Sequence, residues 1–156
     1  MDKRSILLIY TGGTIGMMKD YSSGALKAFD FSQLQKNIPE LNQLDCTISS
    51  FSFDYPIDSS NMNPGHWIAI SDIIADKYHE YDGFVVLHGS DTMSYTASAL
   101  SFLLENLSKP VILTGSQLPI GDLRTDAKEN LITAIQIAAL YEKGKPVIQE
   151  VGLYFE

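Results

Sequence analysis

Three short polar clusters in this sequence carry the residue types that acyl chemistry uses. The first is TGGT, Thr11–Thr14, where Thr14 is the first hydroxyl after Gly12 and Gly13. A threonine held at such a turn could act as a nucleophile, with neighbouring backbone N–H groups free to bind a developing oxyanion. The plainer reading is a tight turn with Thr14 capping the segment that follows. The glycines lack the G-x-G-x-x-G spacing of dinucleotide binders and the Gly-Lys-Ser/Thr of a phosphate loop. The second cluster is DSSNM, Asp58–Met62, bracketed by Pro56 and Pro64. It reads either as a solvated loop or as a place where Ser59 and Ser60 offer hydroxyls and amides to a ligand's polar end. The third is HGSDT, His88–Thr92. Ser90 and Asp91 suit helix capping, and Asp91 is equally suited to hold an ammonium group as a carboxylate. His88 comes two residues before Ser90 with no G-x-S-x-G elbow, so it reads as a structural histidine and not as a triad member. His66 and His79 lie on a predicted helix, and no histidine pair has zinc-ligand spacing, so no metal is expected.

Chemistry at these clusters requires elements that bring them together. SILLIY (Ser5–Tyr10), GFVVLHG (Gly83–Gly89) and PVILTG (Pro110–Gly115) are apolar runs of the kind found in strands covered on both faces. CTISSFSF (Cys46–Phe53) alternates at period two, and PVIQEVGLYF (Pro146–Phe155) begins a fifth strand. Between them, Asp30 and Gln33 resemble a capping box ahead of Phe31, Leu34 and Ile38. Asn63 and Pro64 open a helix whose face carries Trp67, Ser71, Ile74 and Tyr78. A further helix is predicted from about Thr92 to Asn106, with Tyr95, Ala99, Phe102 and Leu103 inward. Another runs from about Thr125 to Tyr141, with Leu131, Ile135 and Ala138 buried. This alternation predicts a three-layer α/β/α domain with a mainly parallel sheet, flavodoxin- or Rossmann-like. Such sheets bind ligands beyond the carboxyl ends of their strands, where all three clusters fall.

The bulk properties are consistent with that frame. The 156 residues suit one domain. A net charge of −8 argues against nucleic-acid or anionic-membrane partners and is compatible with a small-molecule enzyme. Cys46 is the single cysteine, so no intramolecular disulfide forms, and it reads as a small apolar side chain. The basic start MDKR precedes an apolar run too short for a signal peptide, and no run is long enough to span a bilayer. The expected location is cytoplasmic.

YTGGTIGM, DSSNM, DGFVVLHGSDTMSYTASALSFLLENL and KPVILTGSQLP together resemble the N-terminal domain of the bacterial type I (cytoplasmic) L-asparaginases, over nearly the whole chain. The resemblance implies hydrolysis of L-asparagine to L-aspartate and ammonia, without metal or organic cofactor, in a homo-oligomer (dimer or tetramer). It implies that Thr14 is the nucleophile and forms a β-aspartyl ester. Ser90 matches a second catalytic threonine and Asp91 its neighbouring aspartate. Asp58, Ser59 and Ser60 fall on the loop that holds the α-carboxylate and α-amino groups, with Ser90 and Asp91 completing the substrate site. Three positions depart from the pattern. Ser90 keeps the hydroxyl but loses the methyl that restricts its rotamer. Asn61 stands where aspartate is frequent. Tyr21 lies near the place of the family's mobile-loop tyrosine, but the following SSGAL departs from its surroundings.

In that family a lysine activates the second hydroxyl and lies shortly beyond a strand like Val147–Phe155. No lysine here adjoins the three clusters. The whole of residues 1–156 is therefore expected to be the family's N-terminal domain without its smaller C-terminal domain. Alone it is expected to have little activity and to self-associate. Two other readings stay open: the amidase subunit of a tRNA-dependent amidotransferase, and a non-enzymatic α/β domain that binds a small ligand.

Overall fold

The computed structural model describes residues 3–20, 22–28, 30–31 and 34–156. In chain order the elements are β1 (Arg4–Gly12), β2 (Met17–Lys19), β3 (Leu26–Ala28), α1 (Leu34–Asn37), β4 (Cys46–Ile57) and α2 (Pro64–Lys77). They continue with β5 (Gly83–Leu87), α3 (Met93–Leu103), β6 (Val111–Thr114), α4 (Ala127–Ala138), β7 (Tyr141–Glu142), β8 (Lys145–Pro146) and β9 (Val151–Leu153). Five strands form one sheet in the order β4-β1-β5-β6-β9, and every neighbouring pair is parallel. This is the flavodoxin-like order, and its direction reverses between β1 and β5. The remaining strands make two small antiparallel pairs, β2-β3 and β7-β8.

Alternating side chains of the strands feed two cores, as the two-residue period of a strand requires. Leu7 and Ile9 of β1, with Phe84 and Val86 of β5, pack against Ile70 and Ile74 of α2 and Met93 and Leu100 of α3. Ile6, Leu8 and Tyr10, with Val85 and Leu87, pack against Leu34 of α1 and Leu131, Ala134, Ile135 and Ala138 of α4. Helices cover both faces, so the three-layer α/β/α expectation holds. Each fully buried aliphatic side chain contributes about 1.5–3 kcal/mol, and the sheet is held mainly by these. Cys46 is buried in the α4-side core as a free thiol, and burial pushes its pKa up.

Several expectations need correction. The inward stripe of α3 is Met93, Thr96 and Leu100, whereas Tyr95, Phe102 and Leu103 are 67%, 85% and 44% exposed. The helix is apolar on several faces, and the inward one is chosen by Thr96, whose hydroxyl finds partners inside. The helix ends at Leu103, where Leu104 leaves helical geometry and Asn106 takes a positive φ. The last strand starts at Val151: Pro146 belongs instead to the β7-β8 pair, against Tyr141. The helix expected from Thr125 to Tyr141 spans Ala127–Ala138. Tyr78 closes α2, so His79 lies just past its end. Phe31, Leu34 and Ile38 are buried, but the helix expected to carry them is a single turn, Leu34–Asn37, and Gln33 lies outside the described residues.

Candidate active site

The parallel sheet brings the ends of β1, β4 and β5 to one rim. Tyr10 pairs with Ser52, but Gly12 pairs with Ile57, so β4 bulges there and its end swings onto Gly12. Gly13 follows with φ 88°, a conformation open to glycine. A Cβ on Gly13 would lie 2.5 Å from the Gly89 nitrogen and 2.6 Å from the Gly89 Cα. A Cβ on Gly89 would lie 2.4 Å from the Ser59 Oγ. Gly13 and Gly89 therefore meet backbone against backbone, and the Ser59 side chain closes on Gly89, at distances that admit no further side chain between them. Two hydroxyls tie the loops: Thr11 Oγ1 donates to the Leu87 carbonyl at 2.9 Å, and Thr92 Oγ1 donates to the Ser59 carbonyl at 2.7 Å.

Thr14 comes directly after Gly13 and is the first residue of a short 3-10 turn, Thr14–Gly16. The residue in the capping position is Gly13, and no side chain caps the turn, so the capping reading of Thr14 fails. Tyr10 holds this turn from below. Its hydroxyl donates to the Gly13 carbonyl at 3.4 Å, its ring lies where a Cβ of Gly16 would be, and burial raises its pKa to about 12.

Ser90 and Asp91 are exposed in the turn after β5. The capping position of α3 falls to Thr92, whose hydroxyl is spent on Ser59, so neither Ser90 nor Asp91 is used as a cap. Among the described residues, the side chains of Thr14, Ser90 and Asp91 make no hydrogen bond or ion pair. Ser59 is buried beneath Gly89, while Asp58 and Ser60 are exposed. Asp58 accepts from the Ser60 backbone N–H at 3.0 Å and the Ser60 hydroxyl at 2.8 Å. These bonds, the backbone one first, hold its carboxyl below the usual range, so Asp58 stays anionic at neutral pH.

His88 is a structural residue, as its sequence context predicts. It is fully buried, and its pKa is lowered by burial, against a smaller opposing effect of the Gly89 carbonyl. Its Nδ1 lies 2.7 Å from that carbonyl and its Nε2 lies 2.8 Å from Thr96 Oγ1. Sequence reading did not find its partner Thr96, nor Trp67, whose indole N–H donates to Thr96 at 3.0 Å. No local pattern marks residues that meet across two helices. The α2 start is legible: Asn63 accepts from the Gly65 and His66 amides, and the His66 ring completes a capping box. Tyr21 lies outside the described residues. Among the described residues no cluster of His, Cys, Asp and Glu could hold a metal ion, and no helix is long and apolar enough to cross a membrane.

The family profile described as Asparaginase, N-terminal matches residues 5–156. The chain belongs to the asparaginase family. It is 48% identical over 160 residues to L-asparaginase 1 of Escherichia coli K12, covering 99% of this chain and 45% of that protein. Its fold matches the crystal structure of L-asparaginase I from Vibrio cholerae with a TM-score of 0.85 at 46% identity, covering 98% of this chain and 44% of that one. A glutamyl-tRNA(Gln) amidotransferase polypeptide from Pyrococcus abyssi is 42% identical over 135 residues, covering 85% of this chain and 30% of the relative. The chain thus spans less than half the length of these asparaginase-family relatives.

Proposed function

We propose that this chain is the N-terminal, nucleophile-bearing part of an enzyme that hydrolyses L-asparagine to L-aspartate and ammonia. The observation that carries this reading is the close packing of Gly13 on Gly89 and of Gly89 on the Ser59 side chain. It leaves Thr14, Ser60, Ser90 and Asp91 each within two residues of one point, with the Thr14 and Ser90 hydroxyls uncommitted. In the proposed reaction, Thr14 Oγ attacks the side-chain amide carbon, and its proton goes to the departing nitrogen. The C–N bond breaks, ammonia leaves and a β-aspartyl ester remains. Water oriented by Ser90 attacks the ester carbon, the ester C–O bond breaks, L-aspartate leaves and Thr14 regains its proton. Asp91 pairs with the α-ammonium, and Asp58 adds negative charge nearby. The loop carrying Ser59 and Ser60 receives the α-carboxylate, for which the Ser60 amide and hydroxyl turn away from Asp58. The chemistry needs no metal or organic cofactor.

An alcohol needs a positioned base, and such a base contributes roughly 10²–10⁴-fold. No lysine lies within the three clusters, so residues 1–156 alone should release ammonia at near background. The full-length gene product should turn over. The enzyme is proposed to be a cytoplasmic homo-oligomer acting on a small-molecule substrate. Mass spectrometry of a quenched full-length reaction should find the acyl adduct on Thr14, and an adduct on Ser90 would reverse the two roles. Likeness to the amidotransferase polypeptide favours one second reading, ammonia supply for tRNA-bound glutamate. Free L-asparagine turned over without any tRNA partner would decide against it.

A further inference from the structure

We propose that Trp67, Thr96 and His88 form a positioning relay that fixes the Gly89–Ser90 peptide, and with it the direction in which Ser90 presents its hydroxyl. The inference rests on the hydrolase reading above. Ser90 is exposed, and its side chain holds on to nothing among the described residues, so its aim is set by its backbone. The preceding residue is Gly89, which has no side chain to restrict its torsions. Gly13 packs against the Gly89 nitrogen and Cα. The carbonyl half of Gly89 is held by His88.

The direction of every bond in the relay is determined. A carbonyl only accepts, so His88 Nδ1 carries the proton donated to Gly89 at 2.7 Å. In the neutral ring Nε2 is then an acceptor and receives the Thr96 hydroxyl at 2.8 Å. Trp67 Nε1 can only donate, and it donates to the same Thr96 oxygen at 3.0 Å. Thr96 therefore accepts from α2 and donates toward β5, which locks the ring's tautomer and tilt. Both His88 and Thr96 are fully buried. Burying two polar side chains is unfavourable unless their hydrogen bonds are made, and leaving one unmade is more costly still. A pocket that needed only volume would be better filled by leucine and valine. The polar chain makes sense where a peptide plane has to be held in one orientation.

The test compares four variants in the full-length gene product by kcat, KM and melting temperature. His88→Leu should lower kcat about 30-fold, the size of loss expected when a positioning hydrogen bond goes, while KM moves less than about threefold. His88→Asn should stay within about fivefold of wild type, because its amide N–H falls where Nδ1–H stands. Thr96→Val should lower kcat by about tenfold and Trp67→Phe by about threefold, the loss shrinking with distance from Ser90. Leucine tolerated better than asparagine at residue 88 would mark a packing role and overturn the proposal. So would losses confined to KM, or to the melting temperature, at residues 67 and 96. Trp67 is only half-buried, so the Trp67→Phe variant decides on the same criterion should His88→Leu fail to fold. A wild-type protein without turnover overturns the hydrolase reading and the relay together. An active wild type with four unimpaired variants overturns the relay alone.

Discussion

At the amino end of the sheet, Asp82 receives the Ser5 amide at 2.8 Å and the Ser5 hydroxyl at 3.2 Å, and it faces Arg4 at 3.6 Å. The Arg4 guanidinium lies over the Tyr141 ring, and the Tyr141 hydroxyl donates to the Asp82 carbonyl. Arg4, Ser5, Asp82 and Tyr141 are thus tied to one another, and a cleft of about 770 Å³ opens beside Arg4, Cys46 and Tyr141. At the carboxyl end the arrangement is inverted. The backbone is packed tighter than any Cβ would allow, yet Thr14, Ser90 and Asp91 engage nothing among the described residues. Concavity therefore does not single out the carboxyl end of this sheet. What sets that end apart is that Thr14, Ser90 and Asp91, side by side with its packed glycines, are not consumed by the fold.

Substitutions should separate the two ends. The largest expected effect is at Thr14: Thr14→Ala should lower full-length activity by about 10³-fold or more with an unchanged melting curve, as loss of a nucleophile does elsewhere. Residual activity near wild type would show that the free hydroxyl of Thr14 is idle. Next comes Gly13→Ala, which combines a positive φ with a clash on Gly89. It should destabilise by about 2–4 kcal/mol, read from denaturant unfolding. Asp91→Ala should weaken L-aspartate binding by roughly 10–100-fold in calorimetry, with Asp91→Asn losing less, as for a charged hydrogen bond. Asp82→Ala belongs to the other end. It should cost about 1–2 kcal/mol of stability and leave kcat and KM of the full-length enzyme alone.

The smallest effect is on pH dependence. Burial holds the folded pKa of His88 below its unfolded value, so its contribution to stability is complete above about pH 6.5. That contribution is lost progressively as pH falls from there toward the folded pKa, because the unfolded chain takes up the proton first. Melting temperatures of wild type and His88→Asn should therefore converge as the pH is lowered from 7 toward 5. A gap that stays constant would mean that His88 does not titrate differently in the folded state.

Much of the carboxyl end was legible because its signals are local. Apolar runs ending in Gly12–Gly13 and Gly89 mark strand ends, and the alternation of strands and helices puts those ends on one rim. The membership of Thr14, Asp58, Ser60 and Asp91 in that rim followed from chain order alone. The inward face of α3 did not. Tyr95 and Phe102 look like core residues and Thr96 like a surface residue, until Trp67 and His88 come within hydrogen-bond distance from other elements. The start of β9 failed for a related reason. Pro146 and Val147 are apolar enough for a strand, but the positive φ at Lys143 and Gly144 turns them back onto Tyr141. Local pattern finds elements, and the partner across space decides their facing and their limits.

The backbone contact at Gly13 and Gly89 also bears on how this protein could be redesigned. Two positions at the centre of the rim accept no side chain, while the residues directly after them carry side chains that the fold does not use. Scaffold and decoration are thus separated by a single peptide bond. A library that holds Gly13, Gly89 and Ser59 and randomises residues 14, 90 and 91 would vary the exposed groups without disturbing the frame. Conversely, lengthening any one of the three loops would displace the other two, so new specificity is more accessible here by exchanging side chains than by remodelling loops.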